Sequence, residues 1–311
     1  MQKDLPSEAA EAARGRIEAI GLMIVALAIF SGLDTAAKYL VTRTGLPVVE
    51  VVWARFIGQF VLLLALVPAF GVMSARALFA TSRLRLQLVR SVLMIATTAF
   101  NFLALEHLRL DQTITIVFLA PLVVALLAGP FLGEWVGWRR LAAILVGFAG
   151  ILIAVRPGFA ALHPAVGFAF LAMLVYALFI LLTRYMGAFD PPLVTLFYSM
   201  FAGTLFAAPP ALAGWVAPPD MLAWLLLVSL GILGGLGHYL FILAYRLAPA
   251  STVAPFLYLQ LLTMVAFGFA VFGDVPDLWT LLGSAVIVGS GVYLLHRERV
   301  TQRPGVASGA A

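Results

Sequence analysis

The run Val25-Ala-Leu-Ala-Ile-Phe-Ser31-Gly-Leu-Asp34-Thr-Ala-Ala-Lys38-Tyr-Leu40 decides the fold. It sits inside an apolar stretch long enough to cross a bilayer, which takes roughly 20 residues, yet it carries a carboxylate and an ammonium. Asp34 and Lys38 are four residues apart and Ser31 lies one turn earlier, so on a helix all three share one face. A charge inside a membrane span is costly unless it is paired or faces water. Asp34 and Lys38 therefore either lock the first helix to its neighbours or belong to a site or gate.

The rest of the chain has the composition of an integral membrane protein. Of 311 residues, 63% are hydrophobic and 11% charged, against about 25% charged in soluble domains; the mean hydropathy is +1.08. The formal charge of +5 does not point to nucleic acid, because the basic residues lie in short loops between apolar runs. The absence of cysteine excludes disulfides and thiolate sites.

Ten apolar runs can be placed: about 17–41, 47–69, 86–107, 110–131, 138–156, 165–186, 192–213, 221–245, 249–272 and 277–296. Their connections are short, and nothing outside the membrane is large enough to be a domain. With the N-terminus inside, the cytoplasmic segments hold thirteen Lys and Arg, and the outer loops hold three, Arg43, Arg109 and Arg156. The positive-inside rule then puts residues 1–16 and 297–311 in the cytoplasm as tails.

The chain also repeats itself. Gly133-Glu134 after span 4 matches Gly273-Asp274 after span 9, Gly147 matches Gly289, and "AAKYL" matches "LTRYM", pairing Lys38 with Arg184. A unit of five spans is odd, so the second copy, 165–296, must lie inverted relative to the first, 17–156. Two fused halves also make a single chain the expected functional unit.

Ser31-Gly-Leu-Asp34 with Lys38, Trp53-Ala-Arg55, "NFLALEHLRLDQTITIVFLAPL", "GEWVGWRR" and "GFAGILIAVRPG" occur in that order. As an ordered set they resemble the EamA family of the drug/metabolite transporter superfamily, over about residues 17–296. The resemblance implies an all-α, ten-helix basket in the inner membrane, with a central cavity lined mainly by helices 1, 3, 4, 6, 8 and 9. It implies transport of a small metabolite, often export of amino acids, and the architecture is similar to that of aromatic amino acid exporters. Carriers for S-adenosylmethionine uptake share much of the pattern. The second half departs from the first, with Tyr176 and Leu178 to Ile180 where span 1 has Phe30 and Gly32 to Asp34. A symmetric pair of carboxylates is not expected.

Polar groups within the spans are the candidates, because lipid offers them no partner. Asn101, Tyr176, His238, Tyr239, Tyr258 and Gln260 fall on helices of both halves, where an organic substrate with a flat apolar part would bind. Asp34, Lys38, Glu50 and Arg55 lie toward the outer side and can form one neutral gating or coupling network, or a structural clasp. Arg90, near the start of span 3, can snorkel to the interface or bind a carboxylate at the inner mouth. His238 is either a satisfied interior histidine or a proton carrier. Pro121 and Pro255 fall inside spans 4 and 9, where each frees a backbone carbonyl.

The sequence has no Walker A loop, no metal motif among its four histidines and no nucleophile elbow. It therefore reads as a secondary transporter rather than an ATP-driven pump or an enzyme, with no cofactor and with the bilayer and a small molecule as partners. An intramembrane lipid-handling enzyme is the competing class.

Overall fold

The computed structural model describes residues 8–275, except 70, 109, 118, 136 and 156–163, and beyond 275 only scattered positions between 278 and 293. Nearly half of span 10 falls outside the described residues, and the C-terminal tail wholly so. All regular structure among the described residues is helical.

The chain runs α1 (Glu8–Thr44), α2 (Val48–Ala69), the short α3 (Ala75–Leu78), α4 (Leu84–His107), α5 (Leu110–Val117), α6 (Ala120–Leu132), α7 (Trp138–Val155), α8 (Val166–Met186), α9 (Pro192–Ala213), α10 (Met221–Leu247), α11 (Ala250–Val253) and α12 (Gln260–Phe267). Six of these, α1, α2, α4, α8, α9 and α10, are long and apolar enough to cross a membrane. Helix α1 reaches back to Glu8, so the last part of the expected tail 1–16 continues the first helix.

Predicted spans 4 and 9 are not continuous α-helices. Span 4 divides into α5 and α6, with Pro121 in the first turn of α6. There its missing N–H would have no helical partner in any case. Span 9 passes from α11 through a 3-10 segment, Ala254–Leu259, which contains Pro255, into α12 and a π-helical turn, Gly268–Phe272. Proline removes a helix hydrogen bond and clashes with the preceding turn. Within a membrane such breaks persist where surrounding protein takes up the freed backbone groups.

Spans 4 and 9 end alike. Gly133 (φ 71) and Gly273 (φ 75) both adopt the left-handed conformation that glycine tolerates. Glu134 N–H donates to Ala128 O at 3.1 Å, and Asp274 N–H donates to Gly268 O at 3.2 Å. Both are six-to-one closures of a Schellman cap.

Helices from the two parts of the chain interleave. The broadest interfaces are α1 on α10 and α4 on α8, followed by α2 on α10 and on α9. At the α2–α10 crossing the backbones of Gly58 and Gly231 touch, and a Cβ on Gly231 would stand 2.7 Å from the Gly58 Cα. The glycines of α10 thus serve close packing; the helix is unbroken through them.

Two basic side chains dock on helix ends in parallel fashion. Lys38 of α1 donates to the carbonyls of Leu105 and Leu108 at the end of α4, at 3.3 and 3.0 Å. Arg184 of α8 donates to those of Tyr245 and Arg246 at the end of α10, at 3.1 and 3.4 Å. The last carbonyls of a helix lack internal partners and carry the negative end of its dipole, so cations bind there.

Candidate functional site

A cavity opens where α1, α4, α5, α8, α10 and α12 converge. From α1 come Phe30, Leu33 and Asp34, at helical spacing; from α4 come Met94, Thr97, Thr98 and Asn101. Helix α8 adds Ala172, Tyr176 and Phe179, α5 adds Ile114 and Val117, and His238 and Gln260 enter from α10 and α12. These helices occupy predicted spans 1, 3, 4, 6, 8 and 9. Helix α2, outside that expected set, contributes Arg55. The empty space among these side chains, part of it open to the outside, is about 650 Å³, the extent of a small-molecule pocket.

Two polar groupings face into it. In the first, Asn101 Nδ2 donates to Asp34 Oδ1 at 3.2 Å, and Asp34 is 9% exposed. In the second, Arg55 Nη1 donates to Thr98 Oγ1 at 3.0 Å, while its Nη2 lies 3.5 Å from His238 Nε2. His238 Nδ1 is 3.0 Å from the Gly234 carbonyl oxygen. A carbonyl only accepts, so Nδ1 carries the proton and Nε2 presents its lone pair to the guanidinium. The tautomer assigned by this network is neutral. Asp34 and Arg55 both line the cavity but form no ion pair within 4 Å.

The apolar wall is aromatic. Phe30 lies against His238 with ring centroids 4.6 Å apart, and Tyr176 stacks on Phe179 at 6.4 Å and an interplanar angle of 17°. Neither Phe30 nor Phe179 was distinguishable in the sequence, because both are ordinary span residues among 23 phenylalanines.

Of the expected site residues, Asp34, Arg55, Asn101, Tyr176, His238 and Gln260 come together in this cavity. The others do not line it. Lys38 turns to the end of α4, and no ion pair within 4 Å joins it to Asp34. Glu50 is buried and accepts from Val216 N–H at 3.0 Å, pinning the loop between α9 and α10 beside the edge-to-face pair Trp53–Trp215. The four-member network of Asp34, Lys38, Glu50 and Arg55 is thus not assembled among the described residues. Tyr239 is half-buried at the edge of the core, and the side chain of Tyr258 lies outside what the structure describes.

Arg90 does not snorkel. It is 0% exposed, and its guanidinium donates to Thr183 Oγ1 at 2.9 Å, Ser199 Oγ at 2.5 Å and the Thr195 carbonyl at 3.3 Å. The Phe179 ring covers it at 4.5 Å. Oxygens from α8 and α9 replace the water that snorkelling would have reached, so the charge fastens α4 to both helices. Next to it Gln87 bridges Asp190 and Thr195 at 2.8 and 3.2 Å.

Known proteins share this sequence and architecture. The profile of the EamA-like transporter family matches residues 17–156 and again 163–296. A riboflavin transporter of Brucella anthropi is 29% identical over 90% of this chain and 99% of its own length. An S-adenosylmethionine uptake transporter of Rickettsia bellii is 27% identical over 90% and 94%. A pseudopaline exporter of Pseudomonas aeruginosa is 25% identical over 90% and 97%. A solved crystal structure superposes with a TM-score of 0.74 at 18% identity, over 91% of this chain and 99% of that one; at that identity the likeness concerns the fold alone. With two matches that together cover nearly its whole length, the chain is a multi-pass membrane protein that belongs to the EamA-like transporter family, within the drug/metabolite transporter superfamily.

Proposed function

We propose that this protein is a secondary transporter that carries a small metabolite bearing a flat heteroaromatic ring, by alternating access through the central cavity. One observation carries this reading: aromatic faces of Phe30, Tyr176 and Phe179 share one cavity with the polar edge of Asp34, Asn101 and Gln260. Such a lining suits a ligand that is flat and apolar on its faces and polar along its rim. Riboflavin and S-adenosylmethionine, the cargoes named for two relatives, both contain a fused heteroaromatic ring. Export of aromatic or other neutral amino acids, expected from the sequence, is the reading it competes with.

The test is counterflow into proteoliposomes loaded in turn with riboflavin, S-adenosylmethionine and phenylalanine, whose ring is carbocyclic. Exchange of either of the first two above the phenylalanine rate supports the reading. Exchange of phenylalanine alone replaces it with amino acid transport, and exchange of none refutes it.

The same proposal includes two inverted five-helix repeats, 17–156 and 165–296, in an inner membrane with both termini cytoplasmic, working as a monomer. The matched caps at Gly133 and Gly273, the parallel docking of Lys38 and Arg184, and the thirteen-to-three distribution of basic residues support it. Single cysteines at positions 188 and 216 of this cysteine-free chain should label from opposite sides, 188 from the inside; the reverse pattern would overturn the orientation.

A further inference from the structure

The hydrogen-bonding capacity of the cavity is lopsided. Asn101 spends one of its two amide N–H groups on Asp34 Oδ1, which leaves its own Oδ1 as an acceptor beside a single remaining donor. Thr97 donates to the Leu93 carbonyl at 2.8 Å, so its oxygen is left to accept. Asp34 lines the open space, and its second carboxylate oxygen has no hydrogen-bond partner among the described residues. Together these form an acceptor edge that a ligand must meet with donors, since an unmet polar group in such a place is costly.

The positive charge of the site is turned the other way. Nη1 and Nη2 of Arg55 are directed to Thr98 and His238, and its Nε is enclosed with no opening. Among the described residues that line the cavity Asp34 and Arg55 are the only formally charged ones, and His238 is the neutral tautomer. The site is therefore balanced when empty. A ligand with a fixed positive charge would leave an uncompensated unit in a poorly hydrated interior, and so would an anion. An amino acid zwitterion would keep the balance, but its carboxylate would have to share the Arg55 guanidinium with Thr98 and His238.

We infer that Asp34, oriented by Asn101, is the specificity-determining residue of this site, and that it reads an N–H on the rim of an uncharged heteroaromatic ring. This rests on the transport reading above and narrows it to one class of ligand. The riboflavin ring system has such a group, an imide N–H between two carbonyls, while its faces suit Tyr176 and Phe30. The carbonyls that flank the N–H would meet the amide N–H groups of Gln260, whose side chain has no partner among the described residues.

The experiment pairs a change in the ligand with a change in the protein. Binding of riboflavin and of N3-methylriboflavin to the purified full-length protein in detergent is read from flavin fluorescence. On the wild type, methylation should weaken binding by about tenfold or more, the scale of a hydrogen bond to a charged acceptor. In Asp34→Asn, Asn101 still donates to the remaining oxygen, so the new amide N–H₂ faces the cavity and donor meets donor. That variant should lose riboflavin affinity to a similar degree and bind the methylated ligand as the wild type does.

Equal binding of both flavins to the wild type overturns the inference and leaves the transport reading intact, provided some flavin moves in liposomes. Asp34-dependent binding of S-adenosylmethionine without flavin binding also overturns it, because a fixed cation is then the recognised group. If no ligand binds and none is transported, both readings fall. The comparison of ligands on the wild type decides the matter even if the variant does not fold.

Discussion

Glu134 Oε1 and Arg184 Nε stand 2.7 Å apart, and the pair ties together three helix ends. The other oxygen of Glu134 accepts from the Ala250 N–H at 2.8 Å, at the start of α11. Arg184 meanwhile reaches the last carbonyls of α10. One carboxylate thus satisfies a helix N-terminus and a guanidinium that itself caps a C-terminus. Both side chains are mostly enclosed, at 16% and 26% exposure, so the pair is worth more than a surface bridge. Glu134→Ala should lower unfolding stability in detergent by about 1–3 kcal/mol. Glu134→Gln, which keeps an oxygen for Ala250, should lose less. Equal losses would mean that the cap on Ala250 contributes nothing.

The Gly58–Gly231 crossing allows a sharper contrast within one helix. A methyl at Gly231 meets backbone, 2.7 Å from Gly58 Cα and 2.8 Å from its carbonyl carbon. No rotamer change can relieve that overlap. At Gly235, one turn on, the nearest atom is the flexible Gln59 Cγ at 3.8 Å, an ordinary contact. Gly231→Ala should therefore cost about 1–3 kcal/mol or prevent folding, while Gly235→Ala stays near wild type or gains slightly from better helix propensity. Thermal melting of the two proteins compares them directly; similar melting would show that α2 and α10 separate freely.

How far the sequence could be read follows from what hydropathy reports. It locates residues along the bilayer normal, so the apolar runs and the prolines that interrupt spans 4 and 9 were legible. It does not report azimuth. His238 and Tyr239 are neighbours, but consecutive residues point about 100° apart on a helix, and only His238 faces the cavity. Lys38 shares a helix face with Asp34, yet its long side chain reaches the exposed carbonyls at the end of α4 instead. Arg90 lies near the start of its span, as hydropathy indicates, but its oxygen partners lie 93 to 109 residues further along the chain. Nothing local to Arg90 announces Thr183 or Ser199.

That arrangement makes an unusual prediction for Arg90. Thr183 Oγ1 and Ser199 Oγ also bond to backbone carbonyls one turn back, Phe179 O at 2.6 Å and Thr195 O at 3.1 Å. Removing the guanidinium thus leaves both hydroxyls with a partner. Arg90→Met fills similar space and eliminates a buried charge. Arg90→Lys keeps the charge but cannot reproduce the forked geometry on Thr183 and Ser199. Lys should be the more damaging change, by at least about 1 kcal/mol in unfolding stability, since an unsatisfied buried charge costs about 3–5 kcal/mol. A Lys variant more stable than the Met variant would show that positive charge itself is needed there.

Asp34 and Lys38 invite the assumption that they are partners, and the geometry separates them. Asp34 is held by Asn101 in the cavity, and Lys38 by the carbonyls of Leu105 and Leu108. Lys38→Met removes two charge-assisted bonds to a helix terminus and should cost about 1–3 kcal/mol. Asp34→Asn keeps an oxygen for Asn101 and should change stability by less than about 1 kcal/mol, while impairing transport. If the two act separately, the double variant should show the sum of the single losses to within about 0.5 kcal/mol, with no recovery of flux. A double variant more stable than Lys38→Met alone would reveal direct pairing in another state of the transport cycle, where the helix carrying both has shifted. Recovery of flux in that same protein would go further: it would show that the cycle needs neither charge, and that each single variant fails only because it leaves the other charge without its partner in a poorly hydrated place.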